Sequence, residues 1–379
     1  MQKGLKAGKR GKQMKFIHCA DLHLDSKMTA NLDKESAKER KGEILHTFER
    51  MVSYASRNKI TAILIAGDMF DTKNISATTR NTVLHHINEH AEITFYYLRG
   101  NHDNDNFLSG LEKLPDNLKM FGTDWTAYSE ANGAITVSGI ELSPENAGSA
   151  YVSLVLDSRK FNIVMLHGQE SEGAAKDKAE IVNLKALRNK GIDYLALGHI
   201  HTYKKEQLDA RGIYCYPGCL EGRGFDECGE HGFVVIDVDE ETGRYTHEFI
   251  PFAQRKLYTV NVDVTGCRTT AEMASQADRD LQKAGCEENS LVKIVLKGML
   301  DVECEKDIHY FLSGFKDRFY YVKVYDETTL KIDIEDYKYD ESLKGEYVRQ
   351  VMADDSISEE DKKIVIRYGL QAIAGEEVQ

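Results

Sequence analysis

Short apolar runs, each the length of a buried strand, recur along the first two thirds of the chain, and every one stops at side chains able to hold a metal ion. KFIHCA runs into Asp21-Leu22-His23, TAILIA into Gly67-Asp68-Met69-Phe70-Asp71, and ITFYYL into Arg99-Gly100-Asn101-His102-Asp103. FNIVML ends at His167-Gly168, and IDYLAL at Gly198-His199-Ile200-His201. Segments 36–57, 76–90 and 181–190 between these runs read as helices. Strand and helix in alternation predict an α/β fold with strands buried on both faces. Its polar clusters then gather at strand carboxyl ends, where such sheets bind ligands.

After Pro251 the clusters stop. LYTVNVDV, TTAEMASQADRDLQKAG, LVKIVLKGML, KDIHYFLSGF and FYYVKVYD predict a small βαβαβ unit over about 256–328. The last segment reads as two helices, with Leu343, Tyr347 and Val351 on one apolar stripe and Ile366, Leu370 and Ile373 on another. Ser356 and Glu359 have the spacing of a capping box between them. The aromatics Phe319, Tyr320, Tyr321, Tyr325, Tyr337 and Tyr339 read either as strand core or as a stacking surface for unpaired bases. The expected divisions are 1–13, a flexible basic extension or a cloning remnant; 14–255, the domain carrying the motifs; 256–335, a second domain; and 336–379, the C-terminal helices.

A chain of 379 residues is too long for one ordinary core, in keeping with these divisions. Against 49 Lys and Arg stand 62 Asp and Glu, a net charge of −13, although the opening MQKGLKAGKRGKQ is basic throughout. An acidic surface repels nucleic acid at long range, which disfavours a DNA-binding module working by general electrostatics. It does not disfavour an enzyme whose phosphate affinity comes from bound cations, because the metal charge inverts the local field. No apolar stretch approaches the roughly 18 residues of a membrane span, and the basic arm lacks a signal-peptide core. Seven scattered cysteines suit a reducing cytoplasm better than a disulfide framework, and Cys215, Cys219 and Cys228 lack the paired spacing of a structural zinc site.

Taken singly, each cluster has an ordinary explanation: a polar strand cap, a turn aspartate, a loop. Five in succession, as D-x-H, G-D-x-x-D, G-N-H-D, H-G and G-H-x-H, offer imidazole, carboxylate and amide oxygen together, a set that suits Mn²⁺, Fe or Zn²⁺. So many ligands exceed the needs of one ion. Two divalent ions roughly 3.5 to 4 Å apart, sharing one carboxylate, would use them and leave positions open for water and phosphate.

These five motifs, across about residues 14–250, resemble the calcineurin-like metallophosphoesterase superfamily. HCADLHLDS, GDMFD, RGNHD, LGHIH and YPGCLEGRGFDE at 216–227 resemble, within it, the SbcD-type DNA-repair nucleases, with Cys219 standing where many relatives have a small hydroxyl residue. The resemblance implies a four-layer α/β/β/α metallophosphoesterase sandwich, a small α+β capping domain, and a C-terminal helical segment that docks the coiled-coil base of an SbcC-like ATPase. It implies that Asp21, His23, Asp68 and His201 hold one ion and Asp68, Asn101, His167 and His199 the other, with Asp68 as the bridge and Mn²⁺ as the leading metal. His102 would stabilise charge and protonate the leaving oxygen, and Asp103 would orient it. Asp71 is left between a substrate-side group, a carboxylate behind the ligands and a helix N-terminal residue. The function expected is DNA phosphodiester hydrolysis by an exonuclease and endonuclease subunit in double-strand-break repair, paired as a homodimer through residues 76–90. The alternative is a phosphatase or cyclic-nucleotide phosphodiesterase with the same metals. A non-enzymatic scaffold would have lost ligands, and none is lost.

Overall fold

Strand β1 (Gln13–Cys19) is paired on both edges, parallel to β2 (Ala62–Ala66) on one side and antiparallel to a late strand on the other, and its faces are largely buried by the layers above and below the sheet. The computed structural model describes residues 12–28, 32–71, 75–103, 105–173, 180–301, 304–331 and 334–373, so the basic arm up to residue 11 lies outside the described residues. By chain contacts there are two units, Met1–Arg255 and Lys256–Gln379.

In the first unit, β1 leads through α1 (Lys34–Arg57) to β2, then through α2 (Ala77–Glu89) to β3 (Thr94–Leu98) and β4 (Leu118–Met120). Helix α1 starts where the Asp33 carboxylate accepts from the amides of Glu35 and Ser36, and it buries Ile44, Phe48, Met51, Val52 and Ala55 at helical spacing. The chain then builds a second sheet from β5 (Thr126–Glu130), β6 (Ile135–Gly139), β7 (Phe161–His167), β10 (Tyr194–Gly198), β11 (Lys204–Gln207) and β12 (Ile213–Tyr216). Short α3 (Ala150–Ser153), the paired β8 (Gln169–Ser171) and β9 (Ile181–Asn183), and α4 (Leu184–Leu187) interrupt it. Finally β13 (Gly232–Asp239) and β14 (Tyr245–Pro251) return to the first sheet.

The sheet orders are β14-β13-β1-β2-β3-β4 and β11-β12-β10-β7-β6-β5. Phe16, Leu64, Tyr96, Val234 and Ile236 of the first sheet meet Val137, Ile163, Met165, Tyr194 and Ala196 of the second in one core. Outside the first sheet, Tyr54 of α1 lies on Phe233 with ring centroids 5.3 Å apart. Outside the second, Val164, Leu166, Leu195 and Leu197 pack with Tyr151, Leu184 and Leu187. Helix, sheet, sheet and helix make the expected four-layer sandwich. Segment 181–190 departs from its expected helix. Asn183 caps a single turn through the Ala186 amide, Arg188 is already extended, and Asn189 adopts φ 60°, so the apolar spacing serves a strand and one turn.

In the second unit, β15 (Leu257–Asp263), α5 (Thr270–Ala284), β16 (Leu291–Asp301), α6 (Ile308–Ser313) and β17 (Tyr321–Lys331) form a parallel three-stranded sheet in chain order. Val262, Ile294 and Leu296 pack with Met273, Ala277 and Phe311 of the crossover helices. Of the aromatics, Phe319 belongs to this core, whereas Tyr339 is 84% exposed. Helices α7 (Leu343–Ala353) and α8 (Glu359–Ile373) bury Val348, Val351, Ile366 and Leu370 together. Leu343, expected on the apolar stripe, is instead exposed. Ser358, not Ser356, caps α8 by accepting from Asp361, because Ser356 is already held by the Asp354 carboxylate. No described helix is long and apolar enough to cross a membrane, and all seven cysteines are free thiols.

Candidate metal centre

Parallel pairing sets the strand ends level. Cys19 lies opposite Ile65, Ala66 opposite Leu98, and Gly198 opposite His167. The residues following β1, β2 and β3 therefore face those ending β7 and β10 across the sandwich, which brings five sequence clusters to one place. Two contacts tie the sheets there: the His199 amide donates to the Asp21 carboxylate at 2.9 Å, and His167 Nδ1 meets the Ala66 carbonyl at 2.9 Å.

The backbone is forced at these positions. Asp21, His23, Asp68 and His199 adopt φ of 51°, 45°, 51° and 103°, left-handed values that L residues rarely take and that cluster at functional sites. Two of the motif glycines are explained by close approach. A Cβ on Gly67 would strike the His167 ring, and one on Gly100 the Asp68 carboxylate.

Three groups of ligand atoms converge: Asp21, His23 and His201; Asp21, Asp68 and His167; and His23, Asp71 and His102. His23 Nε2 and His201 Nε2 are 3.2 Å apart. Each ring offers its other nitrogen to a carboxylate, His23 Nδ1 to Asp71 at 3.0 Å and His201 Nδ1 to Glu227 at 2.6 Å. Those bonds require Nδ1–H, so two Nε2 lone pairs point at each other. At His167, Nδ1–H donates to a carbonyl while Nε2 faces Asn101 Oδ1 at 3.0 Å and Asp68 Oδ2 at 3.3 Å, so either a proton or a metal ion must sit on Nε2. Acceptor against acceptor is repulsive unless a cation lies between them, and no cysteine enters the set. The donors fit two divalent ions held by nitrogen and oxygen. Asp68 Oδ2 lies 3.3 Å from His167 Nε2 and 3.9 Å from His23 Nε2, between the two groups.

The protonation preferences carry the same strain. Burial and the neighbouring Asp68 push the Asp21 carboxyl up to about 6, against the pull of His167 and His201. Burial holds His23 down to about 4. Burial also opposes charge on His167, but the Asp68 carboxylate outweighs it and raises the imidazole to about 9, which in turn keeps Asp68 well below the usual carboxylate range. A bound cation would relieve this by replacing the proton on His167.

The remaining expected residues separate. His102 lies at the rim, with a side chain 45% exposed, and its Nδ1 is 3.8 Å from Asp71 Oδ1. Asp103, expected to orient it, accepts instead from the backbone amides of Met69, Phe70 and Gly100 at 3.2, 2.9 and 2.9 Å, tying two loops together. Asp71 is no helix N-terminal residue, since Ser76 caps α2. It receives His23 and Arg223. Glu227 and Arg223 have roles that the sequence alone does not assign, although both stand in the YPGCLEGRGFDE stretch that carries the resemblance.

Residues 14–203 match the calcineurin-like phosphoesterase family. A relative in Bacillus subtilis, the uncharacterized metallophosphoesterase YhaO, is 28% identical over 75% of this chain and 71% of its own. The DNA double-strand break repair protein Mre11 of Methanopyrus kandleri is 24% identical over 77% of this chain and 67% of its own. The protein of that name from Sulfurisphaera tokodaii is 24% identical over 84% of both chains.

Proposed function

Given that the chain belongs to the calcineurin-like phosphoesterase family and is a metal-dependent phosphoesterase, we propose that it hydrolyses DNA phosphodiester bonds as a nuclease of double-strand-break repair. The observation that carries the reading is a buried double cluster of ligand atoms with one histidine, His102, standing exposed at its rim, where a long substrate can reach it. The breadth of the Mre11 likeness adds support, because a match over 84% of the chain extends past Arg255 into the second unit. In that role Lys256–Gln379 acts as the capping and docking part, and an SbcC-like coiled-coil ATPase binds α7 and α8, where Leu343, Ile364 and Ile373 are exposed. Two copies of the chain pair through α2.

Asp21, His23, Asp68 and His201 would hold one ion and Asp68, Asn101, His167 and His199 the other; the donors suit Mn²⁺, Fe or Zn²⁺, and the resemblance puts Mn²⁺ first. Such a pair supplies an activated water and neutralises the phosphate oxygens. Asp71 and Glu227 keep Nδ1–H on His23 and His201, so that Nε2 faces inward. His102 donates a proton to the departing 3′ oxygen, and Asp71 favours the ring orientation that does so.

The second reading is a phosphatase or cyclic-nucleotide phosphodiesterase, favoured by the net charge of −13. Cleavage of end-labelled duplex and single-stranded DNA with Mn²⁺, by wild type and His102→Ala, separates them, with bis-p-nitrophenyl phosphate as the control ester. The nuclease reading expects DNA cleavage that the variant loses. Turnover of the small ester with no cleavage of either DNA would count for the alternative.

A further inference from the structure

Arg223 bridges two carboxylates. Nη1 donates to Asp71 at 3.1 Å and Nη2 to Glu227 at 2.9 Å, from a side chain only 18% exposed. Those carboxylates are the two that accept Nδ1–H from His23 and His201. One guanidinium thus stands behind both imidazoles whose Nε2 atoms meet at 3.2 Å. Its backbone is fixed as well: the Arg223 amide donates to Glu227 at 2.7 Å, and Arg40 holds the preceding Gly222 carbonyl at 2.9 Å. The other ligand group is built without it, since His167 is oriented by a backbone carbonyl.

We infer that Arg223 is a positioning residue for one cation of the pair, holding Asp71 and Glu227 so that His23 and His201 present Nε2 to it, while the cation beside Asn101 and His167 does not depend on it. Without the guanidinium, the two carboxylates lose the shared donor that fixes them and swing, and neither then orients its imidazole. Lysine is no substitute, because a single ammonium cannot span both carboxylates as the planar fork does. The inference rests on the two-ion reading.

The test is titration of the metal-free full-length protein with Mn²⁺, followed by calorimetry for affinity and electron paramagnetic resonance for coupling between the ions. Wild type binds two coupled ions. Arg223→Met binds one as before and the other about tenfold more weakly or worse, with an uncoupled Mn²⁺ signal over the intervening range. Asn101→Ala weakens the opposite ion. Arg223→Lys falls between wild type and Arg223→Met, and it serves in place of Arg223→Met if that variant does not fold. Equal weakening of both ions, or no change in either, overturns the inference. A wild type that binds fewer than two ions overturns the two-ion reading, and this inference with it.

Discussion

His102 and Asp103 are neighbours in sequence that face different work. His102 is half exposed at the rim, with Asp71 3.8 Å from its Nδ1 and the His23 ring 5.1 Å away, so its removal leaves the Asp21–His23–His201 and Asp21–Asp68–His167 groups intact. His102→Ala should lower kcat by about 10² to 10⁴ while Mn²⁺ affinity by calorimetry stays at the wild-type value. Asp103 is spent on three backbone amides that close the loops after β2 and β3. Asp103→Ala leaves those amides unpaired and should cost about 2 to 4 kcal/mol, read as a lower urea midpoint at unchanged slope. The structure also moves the neighbour of His102 from Asp103 to Asp71. Adjacent residues diverge this way because the turn after β3 points one side chain outward and the next under the loop.

At the scale of elements, α1 fixes the loop that carries Arg223. Arg40 is fully buried and donates to Glu43 at 2.5 Å, to Glu221 at 3.1 Å and to the Gly222 carbonyl, while Thr47 donates to Glu221 at 2.7 Å and Arg255 binds Glu43 at 2.5 Å. Removing one partner strands the rest. Arg40→Met should destabilise the protein by about 3 to 5 kcal/mol, measured by urea unfolding. Burial opposes ionisation of Glu43, but hydrogen bonds from Arg255 and Arg40 outweigh it and hold the carboxyl below its ordinary value of 4.5. A carboxyl depressed in the folded state stabilises it above the unfolded pKa, and that contribution disappears as pH falls through the folded one. The stability gap between wild type and Glu43→Gln should therefore be full at pH 7, begin to close below about 4.5, and continue closing in more acid solution.

For the whole molecule, Met1–Arg255 and Lys256–Gln379 each enclose their own apolar core, so heating should resolve two calorimetric transitions rather than one. The candidate ligands all lie in the first unit. Mn²⁺ at a hundred times its dissociation constant should stabilise that unit by about 2.7 kcal/mol. Its transition should rise with Mn²⁺ and fall with chelator, while the other stays in place. Movement of both transitions by the same amount would show that the units unfold together.

Much of this is legible in the chain itself. Apolar runs of strand length and metal-capable residues at their ends are local patterns, and local patterns survive in a linear string; so the α/β class, the clusters to be gathered and the βαβαβ order after Pro251 could be read directly. Segment 181–190 failed because one helical turn and a three-residue strand are too short for a period to tell apart. The supports of the site failed for a different reason. Arg223 meets Asp71 across 152 positions, Asp71 meets His23 across 48, and Glu227 meets His201 across 26. Which carboxylate backs which imidazole depends on how two sheets and a loop close on one another, and such side-chain pairings leave no periodic trace along the chain.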